Sequence, residues 1–483
     1  MGRAFRWAIV ASWLVLLYVV ARPARETSPP TSPMAELGGD VVTATEEWMG
    51  MYHQNQKIGY VHHTLRPDEG GYSTEEESLL RLNLLNTPQT VRLRINGRTR
   101  LDHSLQSVSF ELDNGPVRFR AEGEQRGDVF HLRTVIGEEE SEAEMPTGGP
   151  IFLPAGIRPH LARGLSPGKR YELQVFDPSM MRQQTIVATV IGEEKVPGLD
   201  VTAWRVEEEY AGVKSIAWLD GDGRMWREEG PMGLVLKRES RDQAMRANWN
   251  EGAALDLVAS VSIPVEPPLE TAGLDSLRLK VDGIELDRVP TDARQTLQGD
   301  VLTLSADEWP AAAGYALPYD GSEWRDELAP TPLLQSGHER IRETATQVVG
   351  DTRDPVDAAA KLARFVFTRL RKVPTVSVPN ALQVLEMGEG DCNEHAVLFA
   401  ALARAAGIPT RVIAGVVYAN GAFQYHAWNE VWLGRWIALD TVFDQLPADP
   451  THVKFVAGDP EDHVAMIGVI GRLQLRVVES ERG

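Results

Sequence analysis

One cysteine occurs in 483 residues, within Gly390-Asp391-Cys392-Asn393-Glu394-His395. Downstream stand Tyr425-His426-Ala427-Trp428 and then Ala438-Leu439-Asp440. A lone Cys, a later His and a later Asp are the residue types of thiol nucleophilic catalysis. The thiolate needs a base, and the base needs an orienting group. Taken by itself, a single cysteine is more often a small buried hydrophobe, so the surrounding pattern has to carry the argument.

That pattern places each group on an element. Asp391 can cap a helix running from Cys392 to Ala406, and Gly407 with Pro409 ends it. Cys392 then lies in the first turn, where unpaired N–H groups and the helix dipole favour an anion. A lowered thiol pKa is the expectation. The same N–H groups could hold the oxyanion of an acyl intermediate. Ala396, Phe399, Ala400 and Ala403 form an inner stripe suited to close packing on a sheet. Thr410–Val417 reads as a buried strand, Asn420-Gly421 as a turn, Phe423–Trp432 as a second strand and Trp436–Asp440 as a third.

The connection between the last two strands decides whether His426 can meet Asp440. A two-residue Gly434-Arg435 turn pairs Asn429 with Asp440 and sends His426 to the opposite face. A three-residue loop, Trp432-Leu433-Gly434, pairs Val431 with Arg435 and sets His426 directly opposite Asp440. That loop wants a left-handed residue last, and Gly434 is there. The register argument favours Asp440 as the orienter over Asp444. His395 stands three residues after Cys392, as a supporting group or half of a metal pair. With no second Cys and no tight His pair, no metal and no cofactor are expected. Gln445 has no role assignable from sequence.

These residues resemble the transglutaminase-like cysteine enzymes of the bacterial type. The likeness rests on Gly390-Asp391-Cys392, on Arg404-Ala405-Ala406-Gly407-Ile408-Pro409-Thr410-Arg411, on His426-Ala427-Trp428-Asn429-Glu430-Val431 and on Trp436-Ile437-Ala438-Leu439-Asp440, in that order. It covers about Leu334 to Val456. Many members follow the Asp with Pro-Thr; here Thr441-Val442 follows. The resemblance implies a papain-like α+β core with Cys392 as nucleophile, His426 as base and Asp440 as orienter. The implied chemistry is acyl transfer on protein or peptide amides through a Cys392 thioester. The alternatives are a cysteine peptidase or amidase using the same triad, and an envelope binding or scaffold protein with an inactive domain of this type.

The rest of the chain must position this site or deliver it. The net charge of −20 argues against nucleic acid and against an anionic membrane surface as partners. Arg3 and Arg6 precede an apolar run, Trp7 to Ala21, which Arg22, Pro23 and Arg25 stop. The run spans roughly 22 Å as a helix, nearer the bilayer core if Ala4 and Phe5 join it. Residues 1–25 are therefore expected to be a signal-anchor in the inner (cytoplasmic) membrane, with the body on the non-cytoplasmic side. A cleaved signal peptide and a periplasmic or secreted product is the alternative. Residues 26–44 read as a Pro/Ser/Thr-rich linker.

Residues 45–250 alternate apolar and polar positions, as in Val91-Arg92-Leu93-Arg94-Ile95 and Tyr171-Glu172-Leu173-Gln174-Val175-Phe176. Asn96-Gly97, Asp113-Asn114-Gly115 and Asp220-Gly221-Asp222-Gly223 supply hairpin turns. This stretch resembles the large curved sheets of lipoprotein-carrier half-barrels, with one short helix near 154–167. Residues 251–332 read as a small β-module and a connecting loop. Residues 333–483 read as the catalytic domain, opening with helices near 334–349, 355–371 and 381–387. The fold class expected is α+β: a C-terminal papain-like core behind a large antiparallel β-rich region and an N-terminal hydrophobic helix.

Overall fold

The structure, a computed structural model, describes residues 44–482 apart from 85–86, 116–117, 137–138, 163, 178–181, 211–212, 247–260 and 374–379. The expected signal-anchor and nearly all of the linker lie outside the described residues. Among the described residues no helix is long and apolar enough to cross a membrane. Two compact units divide near residue 256.

The N-terminal unit is one fourteen-stranded antiparallel sheet. Eight strands from Thr45–His53 to Glu139–Pro146 follow one another as a meander, and six more from Arg170–Asp177 to Leu234–Arg238 do the same. The meanders join where Met49 pairs with Arg238. Alternation dictates this arrangement: the strand Leu105–Asp113 buries Leu105, Val108, Phe110 and Leu112 and turns its other positions outward. The helix Pro154–Ala162 is the one expected between the meanders, and Ile157 and Leu161 anchor it. The Asp220–Gly223 run is a hairpin turn, with Asp220 Oδ1 accepting from the N–H groups of Asp222 and Arg224 at 3.0 and 2.9 Å.

The C-terminal unit holds four α-helices among the described residues and two further sheets of consequence. Its helices are Glu339–Val349, Pro355–Arg369, Ala381–Met387 and Cys392–Ala405. Asp354 caps the second of them, accepting from Val356 N–H at 3.0 Å, with Pro355 at its first position. The cysteine helix, Cys392–Ala405, is buried on every side through Arg404. A helix buried all round belongs at the centre of a fold. Its one buried cation, Arg404, is satisfied by the carbonyls of Thr410 and Ala329 and by Asp459 Oδ1 at 2.5 Å.

Beside that helix, Thr410–Ala419 pairs with the histidine strand, Ala422–Trp432, on one edge and with Val453–Gly458 on the other. A second sheet combines Gln295–Gln298, Val301–Ser305, Leu274–Asp282 and Gln474–Arg482. The strand Gln474–Arg482, expected within the 333–483 domain, thus completes the sheet of the 251–332 module. Both stretches belong to one compact unit.

Candidate active site

The far edge of the histidine strand is divided between two partners. Ile263–Pro264 pairs with Phe423 and Ala422, and Trp436–Leu439 pairs with Trp432 back to Asn429. Among the described residues, 424–428 have no strand partner on that side. The start of the cysteine helix meets this interval. The Ala427 N–H hydrogen-bonds to the Cys392 sulfur, and Asn429 Nδ2 donates to the carbonyl of Ala396 at 3.0 Å. Cys392 is thereby held beside the residue that follows His426.

The loop between Trp432 and Trp436 differs from the expected one. Trp432 pairs with Trp436 and Val431 with Ile437, so the loop is Leu433-Gly434-Arg435, closed by a 2.9 Å bond from Leu433 N–H to the Arg435 carbonyl. Gly434 is left-handed, at φ 81°, but stands in the middle of the loop rather than last. His426 is consequently not directly opposite Asp440, as expected, but two residues off. An offset of two preserves the face, because side chains alternate with period 2. A diagonal neighbour on one face is within reach of a histidine. The bond forms: His426 Nε2 lies 2.6 Å from Asp440 Oδ2.

Asp440 is fully engaged. Its Oδ1 accepts from the backbone N–H groups of Val442 and Phe443 at 2.6 and 3.1 Å. Its Oδ2 is also 3.0 Å from His452 Nε2. Burial opposes the charge, yet the two imidazoles outweigh it and hold this carboxyl well below the usual carboxylate range. With Nε2–H donated to the carboxylate, the lone pair of His426 sits on Nδ1, which is buried with no hydrogen-bond partner. The Phe443 ring stacks on His426 at 5.0 Å. Cys392, His426 and Asp440 are each 4 % exposed or less.

Cys392 departs from expectation. Burial pushes its thiol well up, and the Asp391 carboxylate adds to this; the Ala427 N–H works the other way, while Glu394 and Asp440 raise it further. Burial outweighs whatever the helix start offers, and the residues that cap it add negative charge beside the sulfur. Asp391 accepts from Asn393 N–H at 2.9 Å, and Glu394 accepts from Asp391 N–H at 2.7 Å. This capping box puts two carboxylates where a thiolate would want none.

The remaining candidates sort out plainly. His395 is fully buried, with Nδ1 donating to the Asp391 carbonyl at 2.7 Å, and burial lowers its pKa to about 4. Asp444 pairs with Arg364 at 2.6 Å rather than with His426. Trp432 packs against Trp324 and Trp436 near the loop. Gln445 exchanges backbone bonds with Asp440 and donates from its side chain to Asp449 at 2.8 Å. His426, Asp440 and His452 bring three ligand-type atoms within 4.8 Å of one another. Their contacts are hydrogen-bond distances, and an Nε2 donating its proton has no lone pair for a metal.

Three residues that sequence reasoning passed over support this site: His452, Asp449 and Arg294. No local pattern in the sequence points to them.

A sulfur, an imidazole and a carboxylate, in this order on a central helix and the sheet beside it, are the residue types that papain-like cysteine enzymes use. Residues 342–441 match the family described as the transglutaminase-like superfamily, a stretch that includes Cys392, His426 and Asp440 and stops short of His452. The C-terminal unit therefore carries a transglutaminase-like domain, at family level a thiol-dependent enzyme domain. Among solved structures, a candidate cysteine protease from Cytophaga hutchinsonii is 15% identical with a TM-score of 0.31, over 46% of this chain and 86% of that one. A β-barrel-like protein from Brucella abortus, of a domain of unknown function, is 12% identical with a TM-score of 0.32, over 41% and 96%. A candidate protease from Parabacteroides distasonis is 10% identical with a TM-score of 0.19, over 78% and 63%. No curated protein matches the chain.

Proposed function

We propose that this protein catalyses acyl transfer on protein or peptide amides through a thioester on Cys392. The observation that carries the reading is the 2.6 Å His426–Asp440 bond. It leaves His426 Nδ1 as the basic atom, on the strand whose next N–H touches the Cys392 sulfur. His426 Nδ1 takes the thiol proton as the sulfur attacks the amide carbonyl. The resulting imidazolium gives that proton to the leaving amine, and the C–N bond breaks to leave the thioester. Asp440 keeps the imidazole in the tautomer that can do this and stabilises its cation. An incoming amine then restores an amide; water in its place gives hydrolysis. The same groups serve both outcomes.

The expected labelling pattern tests the reading. Iodoacetamide should modify Cys392 in the folded protein near neutral pH, and a His426→Ala variant should lose that reaction. Equal slow labelling in both would favour the inactive-scaffold alternative. A glutamine-containing peptide offered with and without a primary amine separates transferase from hydrolase: amine adduct against ammonia release or backbone cleavage. We further propose that residues 1–25 anchor the protein in the inner membrane with the body outside the cytoplasm. The apolar run flanked by arginines supports this.

A further inference from the structure

We infer that His452 is a positioning residue of this site: it holds the Asp440 carboxylate against His426, and is itself fixed by Arg294 and Gln295 of the small β-module. The inference rests on the thiol mechanism proposed above.

The geometry makes Asp440 Oδ2 a shared acceptor, with Nε2 of His426 at 2.6 Å and Nε2 of His452 at 3.0 Å. Oδ1 is occupied by two backbone N–H groups. Four donors on two oxygens leave this buried carboxylate one orientation. Removing His452 would leave Oδ2 short of a donor, and a buried carboxylate in that position turns or admits solvent. Either response costs His426 its orientation.

His452 is completely buried. The titratable groups facing its ring are Asp440, Asp449 and His426, and the Trp428 and Phe443 rings pack around it. Its Nδ1 is 3.3 Å from Asp449 Oδ1. Asp449 is held in turn by the Thr451 N–H and hydroxyl at 2.8 and 2.5 Å and by Gln445 Nε2. Burial opposes charge on His452, but the hydrogen bonds to Asp440 and Asp449 outweigh it and push its pKa up to about 9. As an imidazolium it donates from both nitrogens, as both contacts require.

The small β-module grips the backbone of the same segment. Arg294 donates to the carbonyls of His452 at 2.9 Å and Asp449 at 2.5 Å. Gln295 donates to the Lys454 carbonyl and accepts from the Lys454 N–H, both at 2.8 Å. A guanidinium on two carbonyls fixes a chain segment, and here the segment carries the ring that fixes Asp440.

The test measures the rate of Cys392 alkylation by iodoacetamide across pH 5–10 in the full-length protein. His452→Phe should slow it about 10- to 100-fold at neutral pH and displace its pH midpoint. His452→Gln keeps an amide donor near the position of Nε2 and should recover most of that loss. If His452→Phe reacts within about twofold of the parent with an unmoved midpoint, the inference is overturned. Should His452→Phe fail to fold, Arg294→Leu carries the test: a slower rate with a shifted midpoint supports the chain of contacts, and an unchanged profile overturns it. His426→Ala, run in parallel, separates the two ideas. If it still labels at the parent rate the thiol mechanism itself fails; if it does not and the His452 variants behave as the parent, only this inference does.

Discussion

A thiol that burial and carboxylates hold protonated must surrender its proton at the moment of attack. Cys392 is in that condition, and Asp391 is the largest charged contributor. Asn caps a helix about as well as Asp, so Asp391→Asn should keep the cysteine helix while removing one negative charge beside the sulfur. Removing that charge favours the thiolate, so the pKa falls. Alkylation of Cys392 should therefore reach its half-maximal rate at a lower pH than in the parent, with only a small change in thermal stability. A midpoint that stays or rises would show that Asp391 does not set thiol ionisation. At this scale the sequence was informative about residue type and order, which singled out Cys392, His426 and Asp440. It was silent on His452, because nothing in Asp449-Pro450-Thr451-His452 announces a contact twelve residues back. It was equally silent on Arg294, whose partners are about 155 residues away.

Among elements, helix boundaries were legible because capping chemistry is local. Asp354-Pro355 and Asp391 begin their helices where their side chains accept backbone N–H groups. The register of Trp436–Leu439 was legible only as parity. A loop's odd residue count fixes which face His426 and Asp440 share, but the pairing depends on contacts from elsewhere. One such contact is at Gly434, where an added Cβ would meet the Ala313 carbonyl at 2.8 Å in a left-handed backbone. Gly434→Ala is expected to cost roughly 1–3 kcal/mol. That should appear as a melting temperature lower by several degrees, with slower Cys392 alkylation because the His426–Asp440 diagonal is disturbed. A melting point equal to the parent's would mean that this loop tolerates a different path.

For the whole molecule, alternation along 45–250 predicted an antiparallel sheet but not its closure order. That order depends on Met49 finding Arg238, a pairing no local pattern encodes. The proposed anchor belongs to this scale too. Membrane and soluble fractions of the expressing cells should place the chain with the membrane, and sequencing its N-terminus should return Met1 or its immediate neighbours. A soluble chain that begins just after Ala21 would replace the anchor with a cleaved signal.

The sheet that carries Arg294 includes the strand Gln474–Arg482, paired along Leu274–Asp282. A growing chain therefore possesses Cys392, His426 and Asp440 well before that sheet can be completed. The open edge of Leu274–Asp282 is filled only once Gln474–Arg482 has been made. Of the strands in the sheet that carries Gln295, the last to be made is therefore the one that lies furthest along the chain from it.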